Sequence, residues 1–232
     1  MTPSGRRNPT AAPTTRPSTL VLGCGARARE LLELVDRNGL GDAVDVRCLP
    51  ASLHNRPEEI APAVEAKLAE LAPQYDRVFV AYADCGTGGT LDKVLDRYGV
   101  ERLPGAHCYA FYAGLAAFDA IAAEEPGTFY LTDFLARSFD ALVVKGLGLD
   151  RHPELLATYF WGYRRVVYLS QHEDPALLAM AEQAAERLGL AFEHRPTGYG
   201  ELATAIEQLA DQPKTTTTTK TTTKTPTEEA AA

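Results

Sequence analysis

This sequence predicts an α/β protein: a doubly wound, mainly parallel sheet with helices on both faces, in a single domain that admits a pseudo-two-lobed form. Three observations predict it. Strand-like and helix-like segments alternate along the chain, as in βαβ units. After their first residue, the strand-like runs TLVLG and RVFVAY are continuously apolar rather than alternating, as strands buried on both faces are. Between the two polar ends lie roughly 190 residues, enough for one such domain.

The elements follow in order. Thr19 to Gly23 is a short apolar run ending in glycine, a buried strand. Ala26 to Asn38 sets Leu31, Leu32, Leu34 and Val35 on one helical stripe, closed by Gly39. Val44 to Leu49 is the second strand, with Cys48 expected in the core. The second helix runs from Pro57, a first-turn proline, to Leu71. Arg77 to Tyr82 is the third strand, followed by a helix from Thr90 to Gly99. Residues 101 to 109 read as a weaker extended segment and 110 to 123 as an apolar helix. Thr128 to Leu131 is extended; Thr132 or Asp133 caps a helix to Lys145, and Asp150 another through Tyr159. Arg165 to Leu169 is a β-branched and aromatic strand. Asp174-Pro175 opens the helix 175 to 188, Gly189 closes it, and Ala191 to His194 with a final helix from Gly200 to Leu209 complete the chain.

Composition and charge exclude several classes. Of 232 residues, 45% are hydrophobic and 23% charged, a globular composition. No apolar run approaches the roughly 20 residues that span a bilayer, and Arg6-Arg7 precede Pro, Thr and Ala rather than a signal-peptide core. Residues 1–17 and 211–232, rich in Pro and Thr or in Thr and Lys, are expected to be a disordered arm and tail around a domain over 18–210. The formal charge is −8; the arm holds three arginines and no acid, and the tail's lysines and acids cancel, so the domain itself carries −11. Such a surface repels a phosphate backbone, which argues against nucleic acid as partner. Four cysteines without an export signal suit the cytoplasm, where thiols stay reduced.

In a parallel α/β protein ligands sit beyond strand C-termini, so chemistry is sought there. Cys24 stands between Gly23 and Gly25, Cys85 opens the run CGTGGT, and His107-Cys108 follow Gly105. Thiolates converging from several segments suit zinc or an iron–sulfur cluster, although no C-x-x-C pattern is present. Each cysteine could equally be a small residue at a tight packing point. Adjacent side chains on a regular strand face opposite ways, so either the chain turns at His107-Cys108 or one of the two only supports the other. The loop through Thr87, Gly88, Gly89 and Thr90 has the donors for an anion nest, or is a plain turn with a Thr cap. His54, a candidate acid–base residue, precedes Asn55 and Arg56, which could hold an oxyanion; an Asn cap with solvated neighbours is the alternative. Ser170, Gln171 and His172 end a later strand, where Gln171 could complete the pocket. The aromatic stretch from Tyr159 to Tyr163 suits core or a subunit interface, which admits an oligomer. No G-x-S-x-G elbow is present.

The segments LGCGARARELL, LPASLHNRPEEI, YADCGTGGTLD, GAHCY, FYLTDFLARSFD and VVYLSQ, in this order, resemble the family catalogued as domain of unknown function 1638, over about residues 19 to 209. The name carries no assigned activity; the resemblance implies a setting beside corrinoid-dependent methyltransferases, hence one-carbon metabolism. With the residues it yields two expectations. The first is a metalloprotein with an enzyme-like pocket: Cys24, Cys85 and Cys108 as thiolate ligands, His107 as fourth ligand or support, zinc or alternatively a [4Fe–4S] cluster as cofactor, and a small anionic molecule beside it. The second is an accessory protein without catalysis of its own, partnering a corrinoid protein or delivering a cofactor.

Overall fold

In the computed structural model, which describes residues 17–211, the strands form two three-stranded sheets, each wholly parallel. In the first, β1 (Thr19–Cys24) lies between β2 (Val44–Leu49) and β3 (Arg77–Ala81). Leu20, Val21 and Leu22 are wholly buried, because helices cover both faces of the central strand. Burying each such side chain stabilises the fold by about 1.5–3 kcal/mol. On one face α2 (Pro57–Leu71) and α3 (Thr90–Tyr98) pack Ile60, Val64, Leu68, Leu91 and Leu95 against Leu22 and Val80. On the other, α1 (Ala28–Arg37) sets Leu31 and Leu34 against Val21. Cys48 is exposed rather than packed in the core. β2 is the edge strand, and the partner of Cys48 on β1 is Gly23, which has no side chain to cover it.

The segment 101–109 is not a strand. A single parallel bridge joins Arg102 to Val80. Pro104, which has no N–H to donate, and Gly105, at φ 106°, then turn the chain away. The expected helix 110–123 is divided at Gly114, φ 83°, into α4 (Ala110–Ala113) and α5 (Leu115–Glu124).

The second sheet runs β4 (Thr128–Thr132), β5 (Arg165–Ser170), β6 (Ala191–Pro196), with β5 central and buried from Val166 to Ser170. α6 (Asp133–Arg137), capped at Thr132 Oγ1 by the Leu135 N–H, ends early, and Asp140–Lys145 continues as a π-turn rather than as the same helix. α7 is confined to Leu155–Tyr159. α8 (Pro175–Leu188) begins at Asp174, whose carboxylate accepts from Ala176 N at 2.9 Å, and closes at Gly189. These helices cover one face of the second sheet, while α5 covers Val167 and Leu169 on the other. α9 (Gly200–Asp211) returns to the first sheet, where Leu202 and Ile206 are wholly buried against Val21, Leu31 and Phe111. The α/β class thus takes its two-lobed form, with the last helix closing the first lobe.

Among the described residues no helix is long and apolar enough to cross a membrane. The arm and tail expected over 1–17 and 211–232 lie, apart from Pro17 and Asp211, outside the described residues.

Candidate functional site

The chain leaves β1 for β2 on one side and returns as β3 on the other, so the loops after β1 and β3 diverge and open a crevice between them. Cys24 ends β1 at its edge. A Cβ at Gly25 would stand 2.7 Å from Leu49 O, so only glycine lets the backbone turn beneath β2. That turn brings Arg27 back over the crevice. Arg27 is 4% exposed; its Nη2 donates to Ala81 O at 3.0 Å, and its Nε has no hydrogen-bond partner. Its guanidinium carbon lies 5.9 Å from the centre of the Tyr82 ring and 5.5 Å from that of Phe111.

Beyond β3, Asp84 N donates to Gly105 O at 3.1 Å and Cys85 N to Ala106 O at 2.8 Å. These two bonds draw the segment carrying Cys108 alongside Cys85. Cys85 has φ 51°, the one non-glycine residue with a left-handed backbone among the described residues. Such a conformation costs a β-carbon residue about 1–2 kcal/mol. The neighbouring loop holds it: the Asp84 carboxylate accepts from Thr87 Oγ1 at 2.7 Å, Gly89 N at 2.9 Å and Gly88 N at 3.1 Å, and Thr90 Oγ1 donates to Thr87 O.

Cys24, Cys85, Cys108 and His107 all line one cavity of about 230 Å³, which Thr132 and Leu135 of the second lobe close from the facing side. His54 and Tyr109 stand beside them; Leu53 and Ile60 add apolar wall. Burial opposes the charge of Arg27, yet the surrounding Cys108, Cys24, Tyr112 and Cys85 outweigh it and raise its pKa further. Burial likewise opposes ionisation of Cys108, but a hydrogen bond from Cys85 and the charge of Arg27 outweigh it, so its pKa falls well below the ordinary thiol value. The hydrogen bond to Cys108 and partial burial push the pKa of Cys85 up. The cavity therefore sets a thiol whose ionisation is favoured, Cys108, beside the Arg27 guanidinium, with the disfavoured Cys85 thiol next to it. Burial holds the pKa of His54 below the usual imidazole range and that of Tyr109 above the usual phenol range. The Tyr109 hydroxyl and His54 Nε2 share a hydrogen bond of 3.0 Å.

The other residues read as ligand contacts are placed differently. The donors of Gly88 and Gly89 go to Asp84, so the anion of this nest is supplied by the chain itself, and Gly86 is the member of the loop that reaches the cavity. Asn55 Nδ2 donates to Leu142 O at 2.9 Å, tying the two lobes together. Arg56 is exposed and pairs with Glu59 at 3.1 Å. Gln171 belongs to a second cluster: its Oε1 accepts from Asp133 N at 3.0 Å and its Nε2 donates to Leu169 O at 2.7 Å. There the wholly buried Asp133 accepts from Tyr168 Oη, Gln171 N, His172 N and His172 Nδ1, and His172 Nε2 lies 2.8 Å from Tyr199 Oη and 3.3 Å from Glu33 Oε2. Sequence reasoning missed Arg27, Tyr82 and Asp84. Position is the signal they carry: Arg27 two residues past a strand-end glycine, and Asp84 one residue before the glycine-rich run.

Among the described residues no three His, Cys, Asp or Glu side chains form a ready metal cage. The donor chemistry nonetheless fits a thiophilic metal: three cysteines share the cavity with the buried Arg27 cation, which could balance thiolate charge.

Fold and site define an α/β protein of two parallel sheets with a cysteine-lined cavity at their facing strand ends. No curated protein matches the chain. A family model does, over residues 48–206: protein of unknown function (DUF1638), and the chain belongs to that family. The match takes in Cys85, His107 and Cys108, while Cys24 and Arg27 precede it.

Proposed function

We propose that the cavity is a metal–thiolate centre in a cytoplasmic protein, held by Cys24, Cys85 and Cys108 with His107 as fourth ligand or support, and flanked by space for a small molecule. The observation that carries this reading is the buried Arg27 among the three cysteines. Three thiolates on a zinc ion, or on an oxidised [4Fe–4S] core, leave one unit of net negative charge, and one guanidinium cancels it. An unbalanced charge in so enclosed a place costs several kcal/mol. Zinc there would supply a Lewis acid or an activated thiol or water, and a cluster would supply electron transfer. The family resemblance supports a link to corrinoid-dependent one-carbon metabolism.

The test is purification without oxygen, followed by metal analysis and an absorption spectrum. Stoichiometric zinc in a colourless protein, or iron and sulfide in a brown one, is expected, with loss of metal in Cys85→Ser and Cys108→Ser. Folded protein that stays metal-free after incubation with zinc and after cluster reconstitution refutes the reading. A second reading, an accessory or delivery protein for a corrinoid methyltransferase system, is favoured by Trp161, which is 79% exposed beside the half-exposed Tyr159. Aromatic side chains of this kind are what partner interfaces bury. It predicts that ligand binding requires the partner protein, whereas the first predicts binding by this chain alone.

A further inference from the structure

The chain passes between the lobes twice. It leaves the first at Gly114, φ 83°, between α4 and α5, and returns through residues 197–200, where Gly198 stands at φ 61° and Gly200 at φ 47°. The two crossings lie side by side. Leu115 N donates to Glu201 Oε1 at 3.1 Å, and a Cβ at Gly200 would stand 2.3 Å from both Phe111 O and Tyr112 O, so only glycine admits the contact. Next to them α4 faces both lobes, with Phe111 and Tyr112 buried in the first core and Ala110 buried with Val167 and Leu169 of the second. Two adjacent crossings around one short shared helix are the arrangement of a hinge.

The cavity lies across this division, and its walls are unequally shared. Cys24 ends β1, Cys85 follows β3, and the bond from Cys85 N to Ala106 O draws Cys108 beside it, so the three sulfurs stand on the first-lobe side of Gly114. Of the lining residues only Thr132 and Leu135 come from the second lobe, which therefore roofs a site that the first lobe builds. The ties that hold the roof down are polar. Asn55 Nδ2 donates to Leu142 O at 2.9 Å, and His172 Nε2 stands 3.3 Å from Glu33 Oε2. Glu30 on α1, within reach of the charges of Asp133 and Arg137 in the second lobe, is 1% exposed with an unpartnered Oε2, and separation of the lobes hydrates that oxygen. Polar contacts of this kind between parts of one chain permit relative motion.

We infer that the second lobe is a hinged cover, which turns about Gly114 and residues 197–200 to expose the cysteine cavity and closes on it through the Asn55–Leu142 and Glu33–His172 ties. The structure holds the closed form. Because the cysteines stay together on the first lobe, opening admits a small molecule without taking the proposed centre apart. What the cover protects rests on the metal–thiolate reading; the motion itself needs no metal.

Replacing Asn55 and Glu33 together with alanine cuts both ties, and since neither side chain is buried the interior of each lobe is left intact. Full-length parent and variant are purified without oxygen, and residual dipolar couplings give the relative orientation of the lobes. Iodoacetamide labelling of Cys85 and Cys108, mapped by peptide after a chelator has stripped any metal, gives access to the cavity. Each lost hydrogen bond shifts the open fraction by a factor of about two to ten, so labelling should rise about tenfold in the double variant and about threefold in Asn55→Ala alone. The variant's couplings should fit each lobe singly but not the pair in the closed orientation, while hydrogen exchange in β1 and β5 stays at the parent's rate. A rise below about threefold in the double variant, couplings that still fit one rigid closed pair, or a rise accompanied by faster exchange in β1 and β5 overturns the inference. Metal content is scored separately. Protein that opens in this way yet binds neither zinc nor a cluster refutes the metal centre and leaves the hinged cover standing; protein that holds metal but does not open does the reverse.

Discussion

Replacing Asp84 with alanine removes one acceptor from three donors at once: Thr87 Oγ1, Gly88 N and Gly89 N. Hydrogen bonds to a charged group contribute about 1.5–3 kcal/mol each when shielded. This carboxylate is partly open to water, so about 1 kcal/mol apiece, or about 3 in all, is the appropriate figure. For a folded region of this size each kcal/mol moves the melting temperature by about 2–4 °C, so Asp84→Ala should melt about 6–12 °C lower. The same change frees two adjacent N–H groups beside a helix start, so millimolar sulfate should recover part of the loss in the variant. Sulfate also stabilises proteins generally, so the quantity to read is its gain in the variant minus its gain in the parent, at matched ionic strength. Burial opposes ionisation of Asp84, but Thr87, Gly89, Gly88 and Arg102 outweigh it and hold the carboxyl below its usual range. Its contribution is therefore complete above the ordinary carboxyl pKa and lost as pH falls through the lowered folded value, where parent and variant should converge. Thermal unfolding by circular dichroism across pH measures all of this. A loss under about 2 °C, or equal sulfate gains in both proteins, would refute the assignment of these donors to Asp84.

Metal-free protein treated with iodoacetamide near pH 6 should alkylate Cys108 first, because that thiol ionises early beside Cys85 and Arg27. Cys48, although exposed, should resist at neutral pH: its sulfur lies over Gly23, and partial burial with Cys24 nearby pushes its pKa to about 11. Peptide mapping that finds Cys48 labelled before Cys108 would contradict both statements. Glu30 is 1% exposed with an unpartnered Oε2, and burial raises its pKa. Glu30→Gln should therefore stabilise by about 1–2 kcal/mol at neutral pH. That gain should shrink as pH falls toward the ordinary carboxyl pKa, where the native glutamate is protonated; urea unfolding at both ends of the range reads it. For His172, burial lowers the pKa but hydrogen bonds to Asp133 and Glu33 outweigh it and raise it. Its contribution is complete below the ordinary imidazole pKa and lost as pH rises through the folded value, and at this exposure amounts to about 1 kcal/mol or less. His172→Gln should flatten that part of the melting profile, and an unchanged profile would show that the pair contributes nothing.

What could be read from the sequence was what local chemistry decides. The α8 bounds follow from Asp174-Pro175 at one end and Gly189 at the other, and the buried runs in β1 and β5 from their unbroken apolar character. Division of the strands between two sheets depends on pairing between distant segments, which no local pattern encodes. Residues 101–109 mislead because Leu103 and Tyr109 look extended, while Pro104 and Gly105 decide the backbone. The strand-end rule led to Cys24, Cys85 and Cys108, and the structure sets the three around one cavity. The rule could not say that Asp84 consumes the glycine-rich loop, because a carboxylate's choice between solvent and the nearest N–H groups rests on backbone angles. Nor could it distinguish Arg27 from its exposed neighbour Arg29, since only the turn at Gly25 directs one of them inward.

The return of α9 to the first lobe has a consequence for biosynthesis. Leu202 and Ile206 complete the face that Val21, Leu31 and Phe111 present, and they emerge from the ribosome roughly 90 residues after Tyr112, the last earlier buried residue of that core before the second sheet. At translation rates of about 5–20 residues per second that interval lasts about 5–20 s. Throughout it, the nascent first lobe displays an uncovered apolar surface to the cell. A ribosome-associated chaperone, or a pause that shortens the wait, would therefore govern how much of this protein is recovered, and stalling before Gly200 would leave a product whose strands are made but whose first core stays open.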